Sequence, residues 1–268
     1  MVIDAAAASA GVRLESFETL GSTNEEALAR ARAVRAHAGR PRADTIGPLW
    51  IVAAQQTAGR GRRGRAWVSP RGNLHATLLL TDPCPAAHAA ELSLVAALAL
   101  HDALCRLAAA VASRLALKWP NDMLLDDAKL AGILVEGETG PPLAAAVGVG
   151  VNCAHHPADT AFPATSLAAA GLHVTPTDLL AALSRTMPER LAQWARGDGF
   201  AVIRADWLAR AAGFGRPIRV AVGEQELHGR FDGIDDVGHL ILRMDDGAVR
   251  SVAAGDVFPP LSRRAGVA

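Results

Sequence analysis

The spacing of apolar positions changes character near Gly213. Upstream of it, long segments read as strands and helices. Residues 12–17 alternate apolar and polar, as a half-buried strand does. Ser22-Thr23-Asn24-Glu25-Glu26 then sets a capping hydroxyl three residues before a carboxylate, a helix start. That helix is expected to run to about His37 and to bury Leu28, Ala31 and Val34. Residues 49–54 and 74–80 read as strands around a Gly/Arg loop at 59–65. Residues 86–110 lack Gly and Pro and carry a helical apolar pattern through Leu92, Val95, Leu98 and Leu104. Strands follow at 115–119, 130–136 and 143–151. The last two are nearly all apolar, which places them centrally in a sheet. Helices are expected at 176–196 and 200–212, and residues 1–11 read as a loose Ala-rich tail.

Downstream, short strands alternate with turn signals at Gly223-Glu224, at Asp235-Asp236 with Gly238, and at Asp245-Asp246-Gly247. That rhythm predicts a small all-β barrel of about 45 residues. The chain thus divides into an α+β domain over 1–212 and a small β domain over 213–268.

Charge and composition narrow the class. Lys+Arg and Asp+Glu both number 27, whereas a general nucleic-acid binder carries a basic excess. No basic n-region precedes the early alanines, so no signal peptide is read. The longest apolar run, 92–100, is too short to span a bilayer. Three cysteines, Cys84, Cys105 and Cys153, are odd in number and far apart, which suits a reducing cytoplasm. Cys153, His155 and His156 match no zinc spacing and lack a fourth ligand, so no metal site is assigned.

The loudest chemical signal is Gln56-Thr57-Ala58-Gly59-Arg60-Gly61-Arg62-Arg63-Gly64-Arg65. Glycines let backbone N–H groups approach an anion, and arginine forks suit carboxylates and phosphates. The spacing Gly59, Gly61, Gly64 fits G-x-G-x-x-G. A dinucleotide fold needs a helix directly after it, and here Trp67-Val68-Ser69-Pro70 and a strand follow. A P-loop needs Gly-Lys-Ser/Thr, which is absent. A solvated basic loop is the bland reading. Lys118-Trp119-Pro120-Asn121-Asp122 is by itself a strand end and turn. Lys129 opens the apolar run Leu130-Ala131-Gly132-Ile133-Leu134, an odd packing choice but a useful one beside an anion. Gly148-Val149-Gly150-Val151-Asn152 puts two glycines in an apolar strand, which marks either tight packing or close approach of a ligand.

In this order, the segments resemble the biotin–protein ligases. That family carries Ser-Thr-Asn, a Gly-Arg-Gly-Arg-x-Gly loop, Lys-Trp-Pro-Asn-Asp, Lys-Leu-x-Gly-Ile-Leu and Gly-x-Gly-x-Asn, all present here between residues 22 and 152. Weaker similarity extends through Ser166-Leu167 and the C-terminal part. The resemblance implies an α+β fold, a mixed β-sheet with flanking helices of class II synthetase type, followed by a small SH3-like β barrel. It implies activation of biotin by ATP with Mg²⁺ to biotinyl-5′-AMP, and transfer to a lysine of a biotin carboxyl carrier protein. A lid of Gly-rich backbone and cations suits this chemistry, because two anions must meet away from water.

Carried over, the family roles assign Ser22, Thr23, Asn24, Gln56, Gly132 and Gly148 to biotin. Arg60, Gly61 and Arg62 would close over carboxylate and phosphates, with Arg63 and Arg65 as phosphate neighbours. Lys129 would contact the reacting carboxylate and α-phosphate. Asn121 and Asn152 would serve the nucleotide, and Asp122 would orient or deprotonate the acceptor lysine. No aromatic residue is read near Ala164–Ser166 to stack the adenine, so Trp67 is the substitute. Lys129, Arg62 and Asp122 are the expected catalytic residues. Some relatives carry an N-terminal winged helix. Ser22 begins only 21 residues in, so no DNA partner is expected. A homodimer is compatible with the resemblance. The rival readings are a lipoate–protein ligase and a nucleic-acid-binding module using the arginine loop.

Overall fold

The computed structural model describes residues 1–36, 47–138, 140 and 142–259. Seven strands form one sheet: β1 (Arg13–Leu20), β2 (Leu49–Gln56), β3 (Leu74–Thr81), β4 (Leu115–Lys118), β5 (Asp122–Leu125), β6 (Ala128–Glu138) and β7 (Ala144–Val151). Their order is β1-β2-β3-β7-β6-β5-β4. Only β1 and β2 run parallel, so the sheet is mixed. The two apolar strands expected to be central, β6 and β7, lie inside the sheet.

Strand alternation distributes the core to both faces. Leu49, Ile51, Leu79, Ala144 and Ala146 point to one face, where helix α2 (Thr23–Ala36) covers them with Ala27, Leu28 and Ala31. Trp50, Val52, Leu78, Leu80, Ala145 and Val147 point to the other. There they join the larger core with α3 (Leu92–Leu107), α4 (Pro176–Trp194) and α5 (Phe200–Leu208).

Four expectations need correction. Residues 5–9 are not a loose tail but helix α1 (Ala5–Ser9). Asp4 caps it by accepting from the Ala6 and Ala7 amides, and Asp4 N donates to Ser184 Oγ of α4 at 2.8 Å. The α2 stripe is narrower than expected, because Val34 is 37% exposed; His37 lies outside the described residues. The 86–110 helix is split into a 3₁₀ stretch at Ala86–Glu91, then α3, then a second 3₁₀ stretch from Ala109. Strand β5 was hidden, since its four residues follow directly on the Pro120-Asn121 turn and lack a readable period.

The C-terminal strands are β8 (Pro217–Val222), β9 (Gln225–Ile234), β10 (Leu240–Arg243), β11 (Val249–Val252) and β12 (Asp256–Phe258), in the order β11-β10-β9-β8-β12, all antiparallel. Ile218, Val220, Phe231, Leu240, Leu242 and Val257 are buried between them. The core continues from the seven-stranded sheet into this one. Trp119 Nε1 donates to the Gly238 carbonyl at 3.1 Å, tying the Lys118–Asp122 turn to the second sheet.

Candidate functional site

A cavity of about 470 Å³ opens where the start of α2, the Gly/Arg loop, the β6–β7 strands and β12 converge. One wall is a row of hydrogen-bonded polar side chains. Ser22 precedes α2 and accepts from the Glu25 amide at 3.5 Å, the expected cap. Thr23 N donates to Gln56 Oε1 at 2.8 Å, and Gln56 Nε2 donates to Ser69 Oγ at 2.9 Å. The Thr77 hydroxyl donates to Asn24 Oδ1 at 2.7 Å and lies 2.8 Å from Thr23 Oγ1. Asn24 Nδ2 donates to the Leu134 carbonyl (3.1 Å) and to Glu136 Oε2 (2.8 Å).

The glycines of the floor seat Asn24 and Trp67. A Cβ on Gly148 would lie 2.3 Å from Asn24 Oδ1. A Cβ on Gly150 would lie 2.6 Å from the Trp67 indole, and one on Gly132 would lie 3.1 Å from the same ring. Gly132 and Gly150 face one another across β6 and β7. The sheet therefore presents a patch without side chains, onto which Trp67 packs.

Cations occupy the opposite end. Asp122 is held between two lysines: Lys129 Nζ is 2.6 Å from Oδ1, and Lys118 Nζ is 2.9 Å from Oδ2. Burial alone would push the Asp122 carboxyl up, but the two ammonium groups hold it below the usual carboxylate range. Lys129 is the second residue of β6, where its N–H donates to the Pro163 carbonyl and its carbonyl accepts from the Thr165 amide. Its Nζ is 5.4 Å from the Trp67 ring centre. Lys118 Nζ is 4.8 Å from the ring centre of Phe162.

The Gly/Arg loop folds back on itself through Gly61 N to Arg65 O and Trp67 N to Gly59 O. Its arginines are divided among carboxylates. Arg60 pairs with Glu136 at 3.3 Å and approaches Glu25 at 3.9 Å. Arg63 and Arg65 meet Asp256 at 3.5 and 2.8 Å. Arg62 Nη1 donates to the Gly255 carbonyl at 3.4 Å. Burial first, and then Arg63 and Arg65, push the Arg62 guanidinium down from its ordinary value, against Asp256 and Asp122.

Of the residues assigned from sequence, Ser22, Thr23, Asn24, Gln56, Arg60, Gly61, Arg62, Arg65, Trp67, Asn121, Asp122, Lys129, Gly132, Gly148 and Asn152 all line the cavity. Arg63 does not; it pairs with Asp256 from a backbone conformation with φ 55°. Asn121 and Asn152 use their amide N–H groups to lock backbone, on the Ile133 and Thr165 carbonyls at 2.6 and 3.0 Å. Sequence reading missed Phe162, Asp256 and Phe258, which line the same cavity. Phe162 stands two residues before Ala164, so the expectation that no aromatic lies near Ala164–Ser166 is corrected. Asp256 and Phe258 carried no local signal. The thiol of Cys153 is buried and pushed up to about 12 by desolvation.

Comparisons with known proteins agree with this geometry. Residues 36–152 match the Biotin/lipoate A/B protein ligase family, and residues 213–258 match the Biotin protein ligase C terminal domain. A Biotin--[acetyl-CoA-carboxylase] ligase of Paracoccus denitrificans is 46% identical over 239 residues, spanning 86% of this chain and 98% of that protein. One of Mycobacterium tuberculosis is 35% identical over 252 residues, spanning 91% and 88%. In fold, the chain is similar to the biotin protein ligase of Aquifex aeolicus in complex with biotin and ATP (TM-score 0.73, 23% identity, 92% and 97% covered). It is also similar to that of Leishmania major in complex with biotinyl-5-AMP (TM-score 0.61, 26% identity, 90% and 99% covered).

Proposed function

The chain belongs to the biotin protein ligase family, and on that premise we infer that it is an ATP-dependent ligase joining biotin to a lysine of a biotin carboxyl carrier protein. The observation that carries the reading is a single cavity with a row of uncharged hydrogen-bonding side chains at one end, closed by the Glu136–Arg60 pair, and a lysine–aspartate–lysine cluster with Arg62 and Arg65 at the other. A bicyclic urea suits the first end, and a carboxylate meeting a triphosphate suits the second. Incubation with ATP, Mg²⁺ and biotin, followed by mass spectrometry, should reveal biotinyl-5′-AMP. A carrier domain added next should gain the mass of one biotinyl group, biotin less water. Adenylate formed from lipoate and not from biotin would replace this reading with the lipoate one. The nucleic-acid alternative has little support, since Arg60, Arg62 and Arg65 face the cavity.

In the first step an oxygen of the biotin carboxylate bonds to the α-phosphorus of ATP, and the bond to the leaving pyrophosphate breaks. Negative charge concentrates where the two anions meet. Lys129 and Arg62 are assigned to neutralise it, with Arg65 on the phosphates. Asp122 holds Lys129 toward the centre of the cavity. In the second step the acceptor amine attacks the mixed anhydride carbonyl. A C–N bond forms, the C–O bond to AMP breaks, and the amine loses a proton. The depressed proton affinity of Asp122 favours an orienting role over that of a base. Trp67 packs against the glycine floor, so Phe162 or Phe258, which also line the cavity, is the better adenine neighbour.

Mg²⁺ is assigned to the ATP it arrives with. Among the described residues no group of three or more His, Cys, Asp or Glu could hold an ion, and the cavity's Asp122 and Asp256 are already engaged by lysines and arginines. We assign the catalytic domain to 1–212 and the small β domain to 213–268. The protein is placed in the cytoplasm with no DNA partner. Among the described residues no helix is long and apolar enough to cross a membrane.

A further inference from the structure

Glu136 lies outside the cavity lining and has no role so far, yet one of its oxygens is the terminus of the polar wall. Its Oε2 accepts from Asn24 Nδ2 at 2.8 Å and from Arg60 Nε and Nη2, both at 3.3 Å. We propose that Glu136 is a positioning residue that orders the protons of this wall, so that the cavity presents hydrogen-bond acceptors to a ligand carrying ring N–H groups. The proposal rests on the biotin reading above and names what makes that wall select a urea.

The chain of consequences is short. A carboxylate against a guanidinium has acceptors alone, so Asn24 must turn its NH₂ group toward it. The second Asn24 N–H is taken by the Leu134 carbonyl. Asn24 Oδ1 then points to Thr77, whose single hydroxyl proton is committed to it at 2.7 Å. Thr77 is fully buried and 2.8 Å from Thr23 Oγ1. With its own proton spent, it can only receive there. The Thr23 proton therefore goes to Thr77 or to Gln56 Oε1, 3.1 Å away. Either way Thr23, which lines the cavity, has no proton left and offers lone pairs. Such a wall favours a ligand with N–H donors and leaves one without them facing unpaired acceptors, a costly arrangement in a closed site. With a neutral amide at position 136, donor and acceptor can exchange, and the order of the row is no longer imposed.

The test is binding calorimetry without ATP, using biotin and biotin methylated on a ureido nitrogen. The wild-type protein should prefer biotin strongly. Glu136→Gln should weaken biotin by about tenfold while weakening the methylated analogue far less, so the ratio of affinities narrows. Thr77→Val, which removes the relayed proton, should narrow it likewise, and Thr77→Ser should preserve it. A merely structural role would weaken both ligands by the same factor and leave the ratio unchanged, which overturns the proposal. Wild-type protein that binds neither ligand would overturn the biotin reading itself. Biotin binding with an unchanged ratio in both variants overturns only the role of Glu136.

Discussion

Lys129 Nζ stands 2.6 Å from Asp122 Oδ1, and Asp122 is 8% exposed. The two residues are brought together by the β5–β6 hairpin, whose tight turn at Asp126 and Asp127 has positive φ at both positions. The aspartate therefore fixes an ammonium that would otherwise swing freely on its four-carbon stem. Lys118 on the other oxygen adds a second positive charge to the neutral Lys129–Asp122 pair, so the cluster keeps a net positive charge.

Lys129→Ala should slow biotinyl-adenylate formation by about 10²–10³-fold, the usual scale for removing one preorganised donor. Folding should survive, because the side chain is partly exposed. Lys129→Arg should restore only part of the rate, since a planar fork does not replace a compact ammonium. Single-turnover formation at saturating biotin and ATP is the measurement. An alanine variant that keeps more than about a third of the rate would remove Lys129 from the chemistry.

Gly150→Ala should destabilise the protein by about 1–3 kcal/mol, because the new Cβ overpacks the Trp67 indole. Trp67→Ala frees the same space. Urea denaturation of the four members of the cycle should show the Gly150→Ala cost shrinking markedly in the Trp67→Ala background. Equal costs in both backgrounds would mean that the indole does not depend on the glycine seat.

Asp256→Asn should release Arg63 and Arg65. These pairs are exposed, so global stability should change by no more than about 1 kcal/mol. Trypsin cleavage within residues 62–65 should nonetheless accelerate several-fold. Biotin with ATP should slow it again, as phosphates take over the carboxylate's place. Identical cleavage rates in the two proteins, with and without ligands, would refute the link between β12 and the loop.

Asp102 joins α3 to α4 through Arg190 at 2.6 Å. Burial would raise its carboxyl, but hydrogen bonds from His101 and Arg190 lower it from 3.8 to about 2. Its native value lies below the unfolded one, so its contribution is fully present above pH 3.8 and is lost as the pH falls toward 2. Asp102→Asn should cost on the order of 1 kcal/mol at neutral pH after allowance for solvent screening. The stability difference from wild type should close across that acid window. A constant difference from pH 6 to pH 2 would show that the ion pair contributes nothing.

Much of this protein is written locally in its chain. Capping at Ser22, period-2 alternation in β1, apolar runs in β6 and β7, and turn chemistry after Gly213 act between near neighbours, and each produced the expected element. The Gly/Arg loop, Lys118–Asp122 and Lys129 were recognisable because cations and glycines at such density have few structural uses. The tertiary structure alone decided which residues meet. The register of β6 against β7 puts Gly132 opposite Gly150, and only then is the seat for Trp67 defined. Glu136 reads along the chain as an ordinary polar strand residue. It acquires meaning from Asn24 and Arg60, more than 70 positions upstream. Asp256 reaches the loop across 191 residues of sequence. Hydrogen bonds and ion pairs between distant segments depend on distances of a few tenths of an ångström, and those are set by how the packed sheets and helices come to rest on one another.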